Sequence, residues 1–394
     1  MRSKSIKISL LTGGKDPTYV LPLLSALISK GIIVDFIGSD SMLSSKVKNN
    51  KYVKFFIFHR YAGTNDSIWV KITKIFKMYT RYLKYVPKTN VKLFHIQWEN
   101  KVKLFDWTFM NIYYKIFGKK LVFTAHNIND KQRDGSDSYM YRLSLKFLYR
   151  IVDHIFVHTK QMKQLLKENY KINNEKVTVI PFGINNIMPD SGISRNDSRI
   201  KLQLKIFDKV ILFFGNIAPY KGLENLIIAL TYLKNRVKNL KLIIGGPIKK
   251  NCGEYWENIN KIIKQQNLTD FVIQRVEYIP DDEVELYFKA SDVLVLPYKF
   301  IFQSGPLFLA YNFGLPVIVT EVGSFKEDIV IGKTGYIAKP NDPEDLSDKI
   351  YDYFQSDLYK NLDKNRHFIK KYANENYSWE IIAEKTIKIY KNFL

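Results

Sequence analysis

The chain has 394 residues, enough for two to three domains of ordinary size. An apolar share of 46% supplies material for large cores and excludes general disorder, and a single cysteine, Cys252, excludes an internal disulfide framework and fits a reducing compartment. The net charge of +23 is lopsided: residues 1–200 hold 34 Lys and Arg against 14 Asp and Glu, a net of +20, which leaves +3 for the rest. Such a basic half attracts polyanions, whether nucleic acid, anionic lipid or a phosphate-bearing substrate, and does not choose among them.

The elements follow in chain order. Met1–Leu11 begins basic, but its apolar part is interrupted by Lys7 and Ser9, so it reads as a strand and not as a signal peptide. Apolar stretches such as Tyr19–Ile28 fall well short of the ~20 residues that span a bilayer. Strands are expected at Ile6–Leu11, Ile32–Gly38, Lys54–Phe58, Leu93–Gln97, Leu121–Thr124, His154–His158 and Val177–Ile180. A second series is expected at Val210–Phe214, Lys241–Ile244, Phe271–Gln274, Val293–Leu296, Val317–Thr320 and Gly335–Ala338. Helical spacing lies between them, as at Leu223–Leu233 and Asp282–Lys289.

This alternation predicts an α/β protein: two doubly wound, Rossmann-like domains facing a cleft. Residues 1–185 form the first, 186–203 an aperiodic Gly/Asn/Pro/Ser linker, 204–375 the second, and 376–394 a closing helix.

Ligands of open parallel sheets bind beyond the carboxyl ends of the strands, so the strand-to-helix turns come next. After Val210–Phe214 the chain reads G-N-I-A-P-Y-K-G, with Gly215, Asn216, Lys221 and Gly222 leading into an amphipathic helix. A lysine beside a helix start suits a diphosphate, because amides and the positive dipole end add to the ammonium; an ordinary turn with a solvated lysine is the alternative. In Q-S-G-P-L at Gln303–Leu307, Ser304 or Gly305 would cap a short helix with Pro306 in its first turn, closed by Gly314 and Pro316. Its amides would hold an anion or serve only the cap. Gly13 and Gly14 form a tight turn after the first strand. His126 ends a strand in T-A-H-N, where a histidine meets a sugar hydroxyl or a phosphate or serves structure alone; His158 ends another strand in the same way.

Trp69–Lys88 reads as a basic amphipathic helix. Lys71, Lys74, Arg81, Lys84 and Lys88 recur at three- and four-residue steps or multiples of them, and Ile72, Ile75, Phe76, Tyr79, Leu83 and Val86 fill the other side. It suits an anionic membrane surface, with each cation near such a surface contributing ~1 kcal/mol, or a surface helix packed on the sheet. No cluster of metal ligands and no Ser/His/Asp arrangement emerges, nor any nucleic-acid-binding module.

Read together, these residues resemble the retaining family-4 glycosyltransferases of the GT-B fold. The matching pieces run in order: F-F-G-N-I-A-P-Y-K-G at 213–222, I-I-G-G-P at 243–247, Y-I-P-D-D-E-V at 278–284 and A-S-D-V-L-V-L-P at 290–297. Q-S-G-P-L-F-L-A-Y-N-F-G-L-P-V-I-V-T at 303–320, T-G-Y-I-A at 334–338 and Y-S-W-E-I-I-A-E-K-T at 377–386 follow, and T-A-H-N at 124–127 and V-T-V-I-P-F-G-I at 177–184 belong to the first half. The resemblance implies a nucleotide-sugar donor in the second domain, a glycan or lipid-linked acceptor in the first, an anionic membrane as partner, and a cytoplasmic, peripheral location at the inner membrane face.

It further implies that Lys221 neutralises the donor diphosphate, that amides of Ser304, Gly305 and Leu307 near Pro306 hold its distal phosphate, and that Val276, Glu277 and Tyr278 lie near the base. Gly215, Asn216, Gly222, Gly246 and Gln303 belong to the same donor set, His126 touches the transferred sugar, and Gly13 and Gly14 leave room for donor and acceptor. His126 and Lys221 form the catalytic set. No metal or other cofactor is expected, because lysine and helix dipoles stabilise the leaving group. The final helix is implied to cross back onto the first domain.

Two positions depart from the family pattern. Counting back from Gly314, the usual glutamates fall on Ile301 and Leu309, and the arginine that often follows the first-loop glycine is Asn216. A branch of the family carries Gln-Ser-Gly instead of the glutamates. The departures motivate a second reading, a subunit without donor chemistry that binds a glycan or protein partner. A nucleic-acid binder and a GT-B sugar epimerase are further alternatives, the latter needing acidic and basic cleft groups not found in the sequence.

Overall fold

A computed structural model describes residues 5–43, 45–60, 67–129, 138–184 and 189–394. The chain divides into two compact units. Met1–Gly183 with Trp379–Leu394 forms one, and Ile184–Ser378 forms the other.

The first unit holds seven parallel strands: β1 Lys7–Leu11, β2 Ile33–Ser39, β3 Val53–His59, β4 Leu93–Ile96, β5 Lys120–Ala125, β6 His154–Val157 and β7 Val177–Val179. Their order is β3-β2-β1-β4-β5-β6-β7. The central strands are buried along nearly their whole length, as the unbroken Val/Ile/Leu/Phe runs require of a parallel sheet covered on both faces. Helix α1, Pro17–Ser29, packs on β2 and takes its start from the Asp16 side chain, which accepts from the Tyr19 N–H.

Helix α2, Ile68–Lys88, turns Met78, Tyr82, Tyr85 and Val86 to the core. Of the residues the sequence put on its apolar side, only Val86 is fully buried. Ile72 and Phe76 stand exposed beside Trp69, at 50%, 69% and 74%. Arg81 departs from the expected basic face, because its Nη1 donates to the Ile57 and Phe58 carbonyls at 3.1 and 3.2 Å. Lys71 and Lys74 are half-buried, and Lys84 and Lys88 are exposed.

The second unit holds six parallel strands: β8 Lys209–Phe214, β9 Leu240–Gly245, β10 Val272–Arg275, β11 Val293–Leu296, β12 Val317–Thr320 and β13 Gly335–Ala338, in the order β10-β9-β8-β11-β12-β13. In both sheets the order reverses once, between β1 and β4 and between β8 and β11. At such a point neighbouring loops diverge to opposite faces and open a crevice at the carboxyl edge.

The segment read as a linker contains helix α3, Arg195–Lys201, seated in the second unit; 185–188 lie outside the described residues. The anchor is ionic. Arg199, 1% exposed, donates from Nη2 to both oxygens of Asp292 at 3.1 and 3.0 Å and from Nε to the Ala290 carbonyl at 2.9 Å. Arg195 pairs with the same carboxylate, which also accepts from the Val210 N–H. Arg199→Met should lower the unfolding free energy by about 3 kcal/mol, the low end for a broken buried pair because Arg195 remains. Urea unfolding of both proteins measures it.

Helix α4, Leu223–Leu233, follows β8, and α5, Gly305–Asn312, lies between β11 and β12. Helix α6, Trp379–Tyr390, packs against α1, and the Tyr390 hydroxyl meets His95 Nδ1 at 2.5 Å. A Cβ on Gly183 would overlap the Trp379 indole, so only glycine lets the chain pass there.

Candidate active site

In the second unit the loops after β8 and β11 flank the switch point and converge. Gly215 ends β8 with φ 108°, and a Cβ there would stand 2.8 Å from Lys221 Nζ and 3.5 Å from Pro306. Lys221 is buried, and its ammonium lies 5.4 Å from the centre of the Tyr298 ring. It is held on a tight turn, with its own N–H donating to the Ala218 carbonyl at 3.0 Å and that of Gly222 to Pro219 at 3.1 Å. Gly222, at φ 62°, opens α4 directly against the Pro297 carbonyl. Gly246 lies over the same turn: at φ 129° its Cβ would sit 2.5 Å from the Gly215 oxygen.

Ser304 occupies the cap position of α5 without a side-chain cap bond; its hydroxyl points to that of Tyr298, 3.5 Å away. The first turn of α5 therefore faces Lys221 and Gly215 through Pro306, with no side chain closing its amide end. Gln303 Oε1 is buried there with no hydrogen-bond partner among the described residues. Gly305 is exposed, whereas the Leu307 side chain is fully buried and contributes only backbone. Asn216 is exposed beside Gly215.

The structure thus brings Lys221 and Ser304 to Tyr298, with Gly215 beside Lys221 and packed near Gly246 and Pro306. Sequence reasoning missed Tyr298; its signal was the aromatic two residues past β11 in L-P-Y-K. Val276, Glu277 and Tyr278 follow β10, whose Arg275 carbonyl accepts from the Gly246 N–H at 3.0 Å. Glu277 pairs with Arg275 at 3.2 Å, and Tyr278 is 69% exposed. Ile301 and Leu309 are buried apolar side chains, so no carboxylate stands at either place.

In the first unit the corresponding loops follow β1 and β4. Gly13 packs on the loop after β4, where its Cβ would lie 2.5 Å from the Glu99 oxygen, and Gly14 packs on His59. His126, past β5, stacks on Trp98 with centroids 3.9 Å apart and planes 3° from parallel, and meets the edge of Tyr19 at 4.7 Å. Its Nδ1 lies 3.0 Å from His158 Nε2, and His158 Nδ1 lies 3.3 Å from the Ile180 carbonyl.

That carbonyl can only accept, so His158 carries its proton on Nδ1 and offers Nε2 as an acceptor. His126 then donates from Nδ1, and its Nε2 is buried with no hydrogen-bond partner among the described residues. Burial first, then His158 and His95, holds His126 well below its ordinary titration range, and burial drops His158 to about 4. Both rings are neutral near pH 7.

No group of three or more His, Cys, Asp or Glu placed to hold a metal occurs among the described residues, and no described helix is long and apolar enough to cross a membrane.

Known proteins match this arrangement. Residues 194–376 match the model of glycosyl transferases group 1, and residues 17–186 that of Glycosyltransferase Family 4. The first half of the chain thus resembles a family 4 and the second half a group 1 glycosyltransferase domain, and the fold is GT-B. Among curated relatives, a D-inositol 3-phosphate glycosyltransferase from Corynebacterium glutamicum is 26% identical over 243 residues, 58% of this chain and 57% of that protein. The match spans about three-fifths of the length of such relatives. Among solved structures, Anabaena Alr3699/HepE in complex with UDP-glucose superposes with a TM-score of 0.73 at 15% identity, over 98% of this chain and 100% of that one. WaaG, a glycosyltransferase involved in lipopolysaccharide biosynthesis, gives 0.64 at 16%, over 98% and 99%.

Proposed function

We propose that the protein is a glycosyltransferase that moves a hexose from a nucleotide-sugar donor to a membrane-associated, lipid-linked glycan acceptor. The setting is surface polysaccharide synthesis at the cytoplasmic face of the membrane, with retention at the anomeric carbon as the family-4 resemblance implies. One observation carries the reading: a buried ammonium, Lys221, set between two glycine turns and the uncapped start of α5 at the switch point of the second sheet.

Departure of a nucleoside diphosphate builds negative charge on its distal phosphate. A lysine and helix-start amides fixed in place before the reaction stabilise that charge without reorganising. The leaving group therefore needs no metal in this reading. Gln303 Oε1 takes a donor hydroxyl in place of the absent glutamates, and His126 Nε2 accepts from a hydroxyl of the transferred sugar. The UDP-glucose complex of the structural neighbour supports the donor class, and the lipopolysaccharide role of the other supports the acceptor class.

A thermal-shift screen of UDP-, ADP- and GDP-sugars tests the donor site. At least one should raise Tm while its free monosaccharide does not, since only a ligand of the native state stabilises it. A screen with no response would remove the reading.

Membrane attachment rests on α2, where Trp69, Ile72 and Phe76 are exposed beside Lys71 and Lys74. Flotation with liposomes should rise with anionic lipid content and fall in Trp69→Ala. Indifference to both would exclude α2 as the anchor. Buried Ile301 and Leu309 favour the second reading, a donor-inert partner subunit; donor turnover in the wild type but not in a Lys221 variant would dismiss it.

A further inference from the structure

A lysine carries its charge on a flexible four-carbon stem, yet the proposed reaction needs the Lys221 ammonium fixed before the donor arrives. The turn at 219–222 fixes the backbone and not the far end of the side chain. Against that end lies the face of Tyr298, with its ring centre 5.4 Å from Nζ.

Tyr298 stands two residues past β11 and is 1% exposed. Its carbonyl accepts from the Thr320 hydroxyl at 2.5 Å. Its ring packs on Phe325, with centroids 5.7 Å apart, and edge-to-face with Tyr220 at 6.4 Å. The flanking backbone grips the lysine's own turn: the Lys299 N–H donates to the Tyr220 carbonyl at 2.9 Å, and the Pro297 carbonyl packs on Gly222. One short segment, 297–299, therefore supports both ends of Lys221, its turn through the backbone and its ammonium through the ring.

The ring, and not the hydroxyl, makes the contact with the cation. Among the described residues the hydroxyl has one hydrogen bond, a long one from Ser304 Oγ at 3.5 Å. Burial raises the phenol above its ordinary range, so the ring meets Lys221 uncharged. An aromatic face attracts an ammonium without cancelling its charge. A carboxylate in the same place would also hold the lysine, but it would compete with the diphosphate for it.

The structure assigns Tyr298 as a positioning residue, whose ring holds the Lys221 ammonium beside Gly215 with its charge left for the distal phosphate of the donor. This rests on the glycosyltransferase reading and specifies what orients its cation.

Titration calorimetry of the full chain with UDP, ADP and GDP, and with the matching monophosphates, tests it. At least one diphosphate should bind the wild type, and bind Lys221→Ala more weakly. Tyr298→Leu should weaken the same diphosphate by about tenfold, within the range of a desolvated cation–aromatic contact. It should leave the monophosphate unchanged, since only the diphosphate carries the distal phosphate. Tyr298→Phe keeps the ring and should stay within about twofold of wild type. Adding Tyr298→Leu to Lys221→Ala should change nothing further, because both remove one interaction. Should the leucine variant lose its circular dichroism spectrum, Tyr298→Met fills the space without an aromatic face and takes its place. In turnover, Tyr298→Leu should lower kcat more than it raises KM, as Lys221→Ala does.

A Tyr298→Leu protein that binds the diphosphate like wild type would overturn the assignment. So would equal weakening of diphosphate and monophosphate, or a loss that adds in full to that of Lys221→Ala, since a core side chain would give either. Tyr298→Phe as impaired as Tyr298→Leu would take the role from the ring. A wild type that binds none of the three diphosphates, or binds them no better than Lys221→Ala, would remove the donor site itself and the role of Tyr298 with it.

Discussion

Replacing Lys221 by alanine is expected to slow sugar transfer and donor hydrolysis by roughly 10²–10³-fold, the loss typical of removing one preorganised group from developing charge. The ammonium lies 2.8 Å from where a Gly215 Cβ would be, on a turn held by its own backbone bonds. Truncation therefore removes the charge and leaves the turn. The diphosphate gains negative charge as the glycosidic bond breaks, so kcat should fall more than KM rises. Lys221→Arg should recover little, because Gly215 and Pro306 leave room for a compact ammonium and a guanidinium is planar and wider. Initial rates with the donor identified by the screen measure all three proteins. A Lys221→Ala enzyme within a few-fold of wild type would place the leaving-group stabilisation elsewhere.

Mild acid should unfold the protein steeply, with about 6 kcal/mol lost between pH 6 and 4.5. His59, His95, His126, His154 and His158 are all driven below their ordinary range, chiefly by burial, with His59 and His95 near 3 and His154 and His158 near 4. Their unfolded forms take up protons below about pH 6.5 while the folded forms do not. Stability is thus complete above that pH and declines as pH falls toward the folded values.

Two buried carboxyls act in the opposite sense. Burial pushes Asp106 up to about 7 and Asp328 to about 6, so the folded state binds those protons first and gains stability as pH falls. Five protons favour the unfolded chain and two the folded one, a net of three, or about 4 kcal/mol per pH unit. Urea unfolding at pH 7, 6, 5 and 4.5 measures the slope. A flat profile would mean that these histidines titrate normally.

The strands were legible because a buried parallel sheet requires continuous Val/Ile/Leu/Phe runs, and β11, β12 and β13 fall on the residues predicted for them. The positions of Gly215, Lys221, Gly222 and Pro306 were legible for a related reason. Each obeys a local rule, a left-handed turn or a helix start, that a sequence displays openly.

What escaped depends on partners distant in the chain. Helix α3 carries two arginines that become structural only because Asp292 lies about 90 residues on, so the segment passed for a linker. Periodicity found the amphipathic character of α2 but left open whether its apolar side met a membrane or the sheet, and it did not single out Met78, Tyr82 and Tyr85 as the buried stripe, since the residues that receive them come from elsewhere in the chain. Arg81 counted as a surface cation until the Ile57 and Phe58 carbonyls claimed it. The pairing of His126 with His158, itself set by the Ile180 carbonyl, depends on contacts that no local pattern encodes.

The central claim concerns where a pyrophosphate sits. A crystal structure of the full chain with the nucleoside diphosphate of its donor examines this directly. The distal phosphate should lie within about 3 Å of Lys221 Nζ and against the first turn of Gly305–Asn312, with its oxygens over Gly215. A diphosphate bound away from Lys221, or a first turn whose amides point away from it, would contradict the account.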